Sequence, residues 1–135
     1  MKTVLGIDPG RSKCGVAVVR GEGANMAILE RKVCDLSDLR ELIIGIAERR
    51  NLNMAAVGNG TNSKEIQEIV REALPALSVL IVDERDTTLR ARERYWESTP
   101  RRGWRRLLPS SMQVPPVPVD DFVGVILAER AIKVE

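Results

Sequence analysis

The chain has 135 residues, of which 30% are charged, a formal net charge of +2 and no histidine. This length suits one domain over residues 1–135 with a single packed core, and it is too short for a two-lobed enzyme. The absence of histidine excludes a Ser-His-Asp triad, a Cys-His pair and a zinc site that needs imidazole, so carboxylate and metal chemistry remain open.

The number of cysteines and the length of the apolar runs indicate where in the cell the protein is expected. Cys14 and Cys34 do not form a CxxC motif, and we interpret both as small buried hydrophobic residues. Such sparse cysteines suit a reducing environment, and no signal peptide is visible, so we expect a cytoplasmic protein. No apolar run approaches the length of a membrane span, and no membrane partner is expected.

The first part of the chain predicts three strands and a helix. Residues 3–8 and 14–20 have the pattern of strands joined by a turn at 9–13, and residues 26–33 predict a third strand. From residue 36 to about residue 50, apolar residues recur at helical spacing. An antiparallel meander followed by a helix is therefore expected.

The middle of the chain alternates strands with helices. A short buried strand is predicted at 54–57, a helix from about 63 to 74, and another strand at 79–82. This alternation predicts parallel pairing with right-handed crossovers, and hence a mixed sheet flanked by helices.

The loop at residues 58–63 has two interpretations. Its glycines could cradle a phosphate at a helix start, although no Walker motif is present. Alternatively, Asn62 caps the helix with Glu65 three residues further on, which is an adequate structural explanation and the one we favour.

The last part of the chain predicts two helices separated by an irregular segment. A helix is expected from about residue 89 to residue 97, and a final helix from Asp120 to about residue 133. Between them, the Arg- and Pro-rich segment at about 98–118 lacks periodicity and is expected to be a functional loop or a mobile flap.

Arginine residues are concentrated between positions 85 and 106, where aromatic residues are interleaved with them. This composition is typical of surfaces that bind phosphates and stack on bases, although a solvated helix face with a tryptophan anchoring a loop is an alternative. The candidate nucleic-acid-binding residues are Lys13, Arg85, Arg101, Arg102, Trp104, Arg105 and Arg106.

Three short acidic signatures occur in one order along the chain. They are Gly-Ile-Asp8-Pro-Gly, Val-Asp83-Glu84-Arg and Val-Asp120-Asp121-Phe. Carboxylates held at strand ends or helix starts can gather into the oxygen-rich pocket that hard divalent cations require. Each signature alone has a structural explanation, as a common turn or as charge that complements a helix dipole.

Taken together, the motifs resemble the YqgF/RuvX family of RNase H-like, Holliday-junction-resolvase-like domains. The resemblance rests on Ile7-Asp8-Pro9-Gly10 with residues 14–18, on residues 82–88, and on Asp120-Asp121 opening an apolar helix. It spans nearly the whole chain. It implies an α/β fold with a mixed five-stranded sheet in the order 3-2-1-4-5 and helices on both faces.

The resemblance also implies an activity, which is metal-dependent hydrolysis of phosphodiester bonds by a two-metal-ion nuclease. Carried over by position, it places the catalytic and metal-binding carboxylates at Asp8, Glu84 and Asp121, with Asp120 as a further metal ligand. The implied cofactor is Mg²⁺ or Mn²⁺. The implied partner is structured RNA or branched DNA, such as the ends of precursor 16S ribosomal RNA or a Holliday junction, bound by a monomer or a homodimer.

Two alternatives remain open. The loop at 58–63 resembles the YqgF-type domain of transcription accessory proteins, which implies a non-catalytic nucleic-acid-binding module of the same fold. A phosphotransferase of the actin and sugar-kinase type shares an Asp-Gly strand turn, but it needs two lobes, and one short domain argues against it.

The two neighbouring acids of the final helix are expected to differ. Asp120 stands where a helix cap belongs. Asp121 heads a stripe of small residues at helical spacing, which would let this helix lie close to the sheet and bring Asp121 toward Asp8. The stripe consists of Gly124, Ala128 and Ala131.

Overall fold

The computed structural model describes residues 1–22, 25–83 and 120–134, with no description of the side chains of residues 120–122, 133 and 134. Within these ranges the strands are β1 (Lys2–Asp8), β2 (Lys13–Glu22), β3 (Asn25–Asp35), β4 (Met54–Gly58) and β5 (Ser78–Val82). The helices are α1 (Leu39–Arg49), α2 (Ser63–Ala73) and α3 (Asp120–Val134), and a short 3-10 helix (Leu36–Asp38) precedes α1.

The five strands form one mixed sheet in the order β3-β2-β1-β4-β5, which confirms the expected topology. The antiparallel pairs are β1 with β2 and β2 with β3, and the parallel pairs are β1 with β4 and β4 with β5. A register shift between Val18 and Val19 interrupts the β2–β3 ladder. The opening meander is longer than the sequence indicated, since β3 alone has 11 residues.

The central strand β1 is buried on both faces because helices cover the sheet on each side. Leu5 and Ile7 pack in the cluster that contains α1 and α2, whereas Val4 belongs to the cluster that contains α3. Alternate residues of a strand point to opposite faces, so Gly6 and Asp8 share the α3 face with Val4. The face that carries Asp8 is therefore the face covered by α3.

The predicted helices are confirmed where the structure describes them. The first begins as a 3-10 turn, and α1 proper starts only at Leu39. The expected helix at 89–97 and the Arg- and Pro-rich segment at 98–118 lie outside the described residues. Among the helices that are described, none is both long enough and apolar enough to cross a membrane.

A carboxylate on β3 connects that strand to the end of α1. Glu30 accepts hydrogen bonds from the guanidinium groups of Arg49 and Arg50, the latter at 2.6 Å. The hydrogen bond from Arg49 is the main reason that the pKa of Glu30 is lowered. A lowered carboxyl pKa stabilises the fold at neutral pH, and this contribution is lost as the pH falls through the lowered value.

Candidate active site

The carboxyl ends of the three parallel strands meet at one edge of the sheet. Asp8 is the last residue of β1, whereas Asn59 and Asp83 come directly after β4 and β5. The backbone amide of Asn59 donates to the carbonyl oxygen of Val82 at 3.1 Å, which ties the ends of β4 and β5 together. Open α/β sheets bind their ligands outside the carboxyl ends of their strands, so this edge is the candidate site.

Helix α3 lies unusually close to the central strand. A Cβ atom added at Gly6 would overlap the carbonyl oxygen of Gly124 and would lie 3.1 Å from the Cβ of Ala128. Both Gly124 and Ala128 belong to the stripe of small residues, and the buried Ala131 completes it. The expectation that this stripe allows a close approach to the sheet is confirmed.

The direction of α3 brings its first turn toward Asp8. A Cβ added at Gly124 would lie 3.3 Å from the carbonyl oxygen of Gly15, and Gly15 is the ladder partner of Asp8. One turn later, Ala128 lies against Gly6, which precedes Asp8 by two residues. Going back along α3 therefore leads toward the Asp8 end of β1, where the helix begins with the backbone of residues 120 and 121.

The turn after Asp8 is tightly shaped. Pro9 is buried, and a Cβ added at Gly10 would overlap the carbonyl oxygen of Lys13, so the turn requires glycine at this position. The backbone amide of Leu36 donates to the carbonyl oxygen of Ser12 at 2.8 Å. These contacts direct the chain away from the end of β1 and leave Asp8 half-buried at the edge.

The predicted role of Asn62 as a side-chain cap of α2 is wrong. Asn62 does precede α2, but its side chain makes no cap hydrogen bond, and its backbone is left-handed with φ 64°. A capping residue normally has an extended backbone, which aims its side chain at the first free amides. The side-chain nitrogen of Asn62 instead donates to the carbonyl oxygens of Gly10 at 2.9 Å and of Arg11 at 3.2 Å.

The described structure contains part of the predicted site. Asp8 lies at the edge as expected, and Lys13 is exposed at the start of β2. Asp120 and Asp121 are the first two residues of α3, with only their backbone described. The other predicted residues lie outside the described ranges, and these are Glu84, Arg85, Arg101, Arg102, Trp104, Arg105 and Arg106.

The donor chemistry of this edge fits a hard divalent cation. Carboxylate oxygens are preferred ligands of Mg²⁺ and suit Mn²⁺, and Asp8 provides them at the end of β1. Among the side chains that the structure describes, no group of three or more carboxylates or thiols is placed to hold a metal ion. A complete site would therefore need carboxylates from outside this set, in addition to Asp8.

The two cysteines are direct neighbours on adjacent strands of the sheet, which the sequence did not indicate. Cys14 and Cys34 are partners in the β2–β3 ladder, and both are free. Cys14 is buried as expected, but Cys34 is only partly buried. Burial, followed by the neighbouring Cys34, raises the pKa of the Cys14 thiol to about 11. The Cys14 thiol is therefore protonated at neutral pH and is not an activated nucleophile.

The chain is similar to one described family and to several solved structures. The family model of the Tex protein YqgF-like domain matches residues 2–90, whereas no curated protein matches the chain. The chain is similar to T. thermophilus RuvC in complex with a Holliday junction substrate, with a TM-score of 0.61 and 14% identity over 95% of this chain and 91% of that chain. It is also similar to fowlpox virus resolvase in complex with Holliday junction DNA, with a TM-score of 0.61 and 8% identity over 98% of this chain and 97% of that chain. These likenesses show a shared RNase H-like fold.

Proposed function

The chain belongs to the family of Tex protein YqgF-like domains, and on this premise we propose that it is a nuclease that hydrolyses phosphodiester bonds in structured nucleic acid. One observation carries the proposal. Asp8 ends the central strand on the face covered by α3, and the first turn of α3 lies toward the same end of that strand. The fold shared with two junction resolvases supports the same conclusion.

The proposed catalytic residues are Asp8, Glu84 and Asp121, which would hold Mg²⁺ or Mn²⁺ with Asp120 as a further ligand. Bound ions of this kind supply an activated water and neutralise the phosphate oxygens. Asp8 contributes a carboxylate whose position is set by the end of β1 and by the tight turn after it. In the reaction, the water oxygen bonds to phosphorus and one ester P–O bond breaks, which leaves a phosphate monoester and a hydroxyl group.

The proposed substrate is structured RNA or branched DNA, with precursor 16S ribosomal RNA and junction-like DNA as the specific candidates. Lys13 is exposed beside the turn that follows Asp8, where it could contact a phosphate. The arginine- and tryptophan-containing segment from Arg85 to Arg106 would contact the rest of the nucleic-acid backbone. We further propose a cytoplasmic monomer or homodimer.

A non-catalytic binding module of the same fold is the second candidate. The family match is to the Tex protein YqgF-like domain, and the loop at residues 58–63 carries the same resemblance. In this case the acids would be structural, and the basic segment would supply the whole function. Cleavage assays in Mn²⁺ and in chelator distinguish the two candidates, because a binding module leaves every substrate intact.

Neutralising the basic segment is expected to weaken binding without changing sequence preference. The variant carries Arg101→Gln, Arg102→Gln, Arg105→Gln and Arg106→Gln. Each lost phosphate contact should lower the slope of log affinity against log salt by about 0.9 for duplex DNA. Binding isotherms at several salt concentrations give this slope.

The matched control for the basic segment removes two exposed arginines from α1 and α2, which cover the face of the sheet opposite α3. The control variant carries Arg40→Gln and Arg71→Gln, and it should keep the wild-type slope. If the fourfold variant also keeps the wild-type slope, the segment is not the phosphate-binding surface.

Asp120 and Asp121, the two acidic residues that begin α3, are expected to have different functions. Asp121→Asn should lose metal-dependent cleavage and keep its fold, because Asp121 stands one turn before Gly124 in the stripe that contacts the sheet. Asp120→Asn should remain active, because asparagine keeps a polar side chain at the start of the helix and an amide oxygen that can replace the carboxylate of this further ligand. Cleavage rates together with circular dichroism check both variants. An inactive Asp120→Asn beside an active Asp121→Asn would mean that the assigned helix phase is wrong by one residue.

A further inference from the structure

The side chain of Asn62 joins the start of α2 to the turn that follows Asp8. Its Nδ2 atom donates to the carbonyl oxygens of Gly10 and Arg11, which lie 52 and 51 positions earlier in the chain. A side-chain amide nitrogen carries two N–H donors, and both can be used here. The contact therefore links two loops that belong to different parts of the fold.

Asn62 completes a set of contacts that fixes this turn at successive residues. The carbonyl oxygens of Gly10 and Arg11 accept from Asn62, and the next one, that of Ser12, accepts from the amide of Leu36. The backbone of Gly10 also lowers the pKa of the Cys14 thiol, against the rise that burial causes. Gly10, which accepts the hydrogen bond from Asn62, is only two residues after Asp8 in the chain.

The backbone of Asn62 indicates that this contact is specific. Among the described residues, Asn62 is the only non-glycine residue with a positive φ, at 64°. Asparagine tolerates this left-handed conformation better than most residues do. Such conformations persist where surrounding contacts determine them, and they cluster at functional sites. Here the residue gives up side-chain capping of α2 and directs its amide group at the turn after Asp8.

We propose that Asn62 is a positioning residue for Asp8, a role that rests on the proposed function of Asp8 as a metal ligand. By holding the carbonyl oxygens of Gly10 and Arg11, Asn62 keeps the turn in one arrangement and so fixes where the Asp8 carboxylate lies at the end of β1. A residue that orients a ligand in this way contributes to metal affinity without touching the metal. Asn62 touches neither the cation nor the nucleic acid in this account.

The test compares Asn62→Gly with Asn53→Gly. Glycine accepts a positive φ freely, so Asn62→Gly removes the two hydrogen bonds without adding backbone strain. Asn53 is a matched control because its Oδ1 atom accepts from the amide of Thr3 at 2.7 Å, near the opposite end of β1 from Asp8. Both variants therefore lose an asparagine side chain that hydrogen bonds to the backbone at or beside β1.

Two measurements are made on each variant. Hydrogen exchange without metal should become about tenfold faster at residues 10–13 in Asn62→Gly, since two hydrogen bonds to this turn are lost. In Asn53→Gly, the exchange rate at residues 10–13 should be that of the wild type. The dissociation constant for Mn²⁺ without nucleic acid, measured by electron paramagnetic resonance, should rise about tenfold in Asn62→Gly and stay constant in Asn53→Gly.

The outcomes separate this inference from the proposed function. If Asn62→Gly exchanges at residues 10–13 like the wild type, or loosens the turn while its Mn²⁺ dissociation constant stays the same, Asn62 does not position Asp8. If the wild-type protein binds no Mn²⁺, the proposed function is wrong, and Asn62 then has no metal ligand to position. The hydrogen-exchange result still shows whether Asn62 holds the turn. Should Asn62→Gly not fold, Asn62→Asp replaces it in the exchange experiment, because aspartate also tolerates a positive φ but its carboxylate cannot donate.

Discussion

Asp8→Asn is expected to abolish cleavage and to leave nucleic-acid binding unchanged or tighter. The substitution keeps the size of the side chain and removes its negative charge, so the site loses a cation ligand at the end of β1. Loss of a group that stabilises developing charge lowers a rate by a factor of about 10³, and loss of a cation ligand should cost at least as much. Binding should persist because a negative charge near phosphate is removed.

Cleavage and binding are measured on the same preparations of wild type, Asp8→Asn and Glu84→Gln. Asp38→Asn is the control, since Asp38 is an exposed carboxylate in the 3-10 turn before α1. Asp38→Asn should cut at the wild-type rate. Retained cleavage in both Asp8→Asn and Glu84→Gln, with host nuclease excluded, would rule out the two-metal mechanism.

Gly6→Ala is expected to destabilise the protein strongly. The added Cβ would overlap the backbone oxygen of Gly124, and it would also press on Ala128 at 3.1 Å. Neither β1 nor α3 can yield easily, because each is packed in the core. Overpacking of this kind costs about 1–3 kcal/mol, and the clash with backbone atoms places Gly6→Ala at the upper end or beyond. Urea unfolding followed by circular dichroism measures the loss.

Gly45→Ala is the matched control for Gly6→Ala. A Cβ at Gly45 would meet only the guanidinium group of Arg49, at 3.3 Å, and this half-exposed group, which pairs with Glu30, needs to shift by only a few tenths of an ångström. Replacing glycine by alanine inside a helix is favourable by up to about 1 kcal/mol, so this variant should be as stable as the wild type or more stable. Equal stability of Gly6→Ala and Gly45→Ala would contradict the close packing of α3 on β1.

Most of the fold could be predicted from the sequence because its signals are local. The switch from strand to helix spacing after residue 33 indicated the meander and the first helix, and the later alternation indicated parallel strands. The small residues of the final helix predicted a close approach to the sheet. The partner in that approach, Gly6, could not be predicted, since the register of a helix against a sheet depends on packing that no single segment encodes.

The connections around the candidate site could be predicted only in part. Asp8 was expected at the end of the central strand, and the structure places it there. Asn62 was expected to cap α2, and its true partners lie about fifty residues away in another loop. The pairing of Cys14 with Cys34 also depends on the register of β2 against β3. Contacts of this kind follow from the assembled fold, not from local pattern.

The most direct test of the proposed nuclease is cleavage of labelled four-way junction DNA and precursor 16S ribosomal RNA side by side. Each substrate is incubated with the wild-type protein in Mn²⁺, in Mg²⁺ and in chelator, with Asp8→Asn as the inactive reference. The proposed nuclease activity predicts defined cleavage products from at least one of these substrates in Mn²⁺ and none in chelator. Tight binding of both substrates with no product under any condition would contradict it and would favour the binding module.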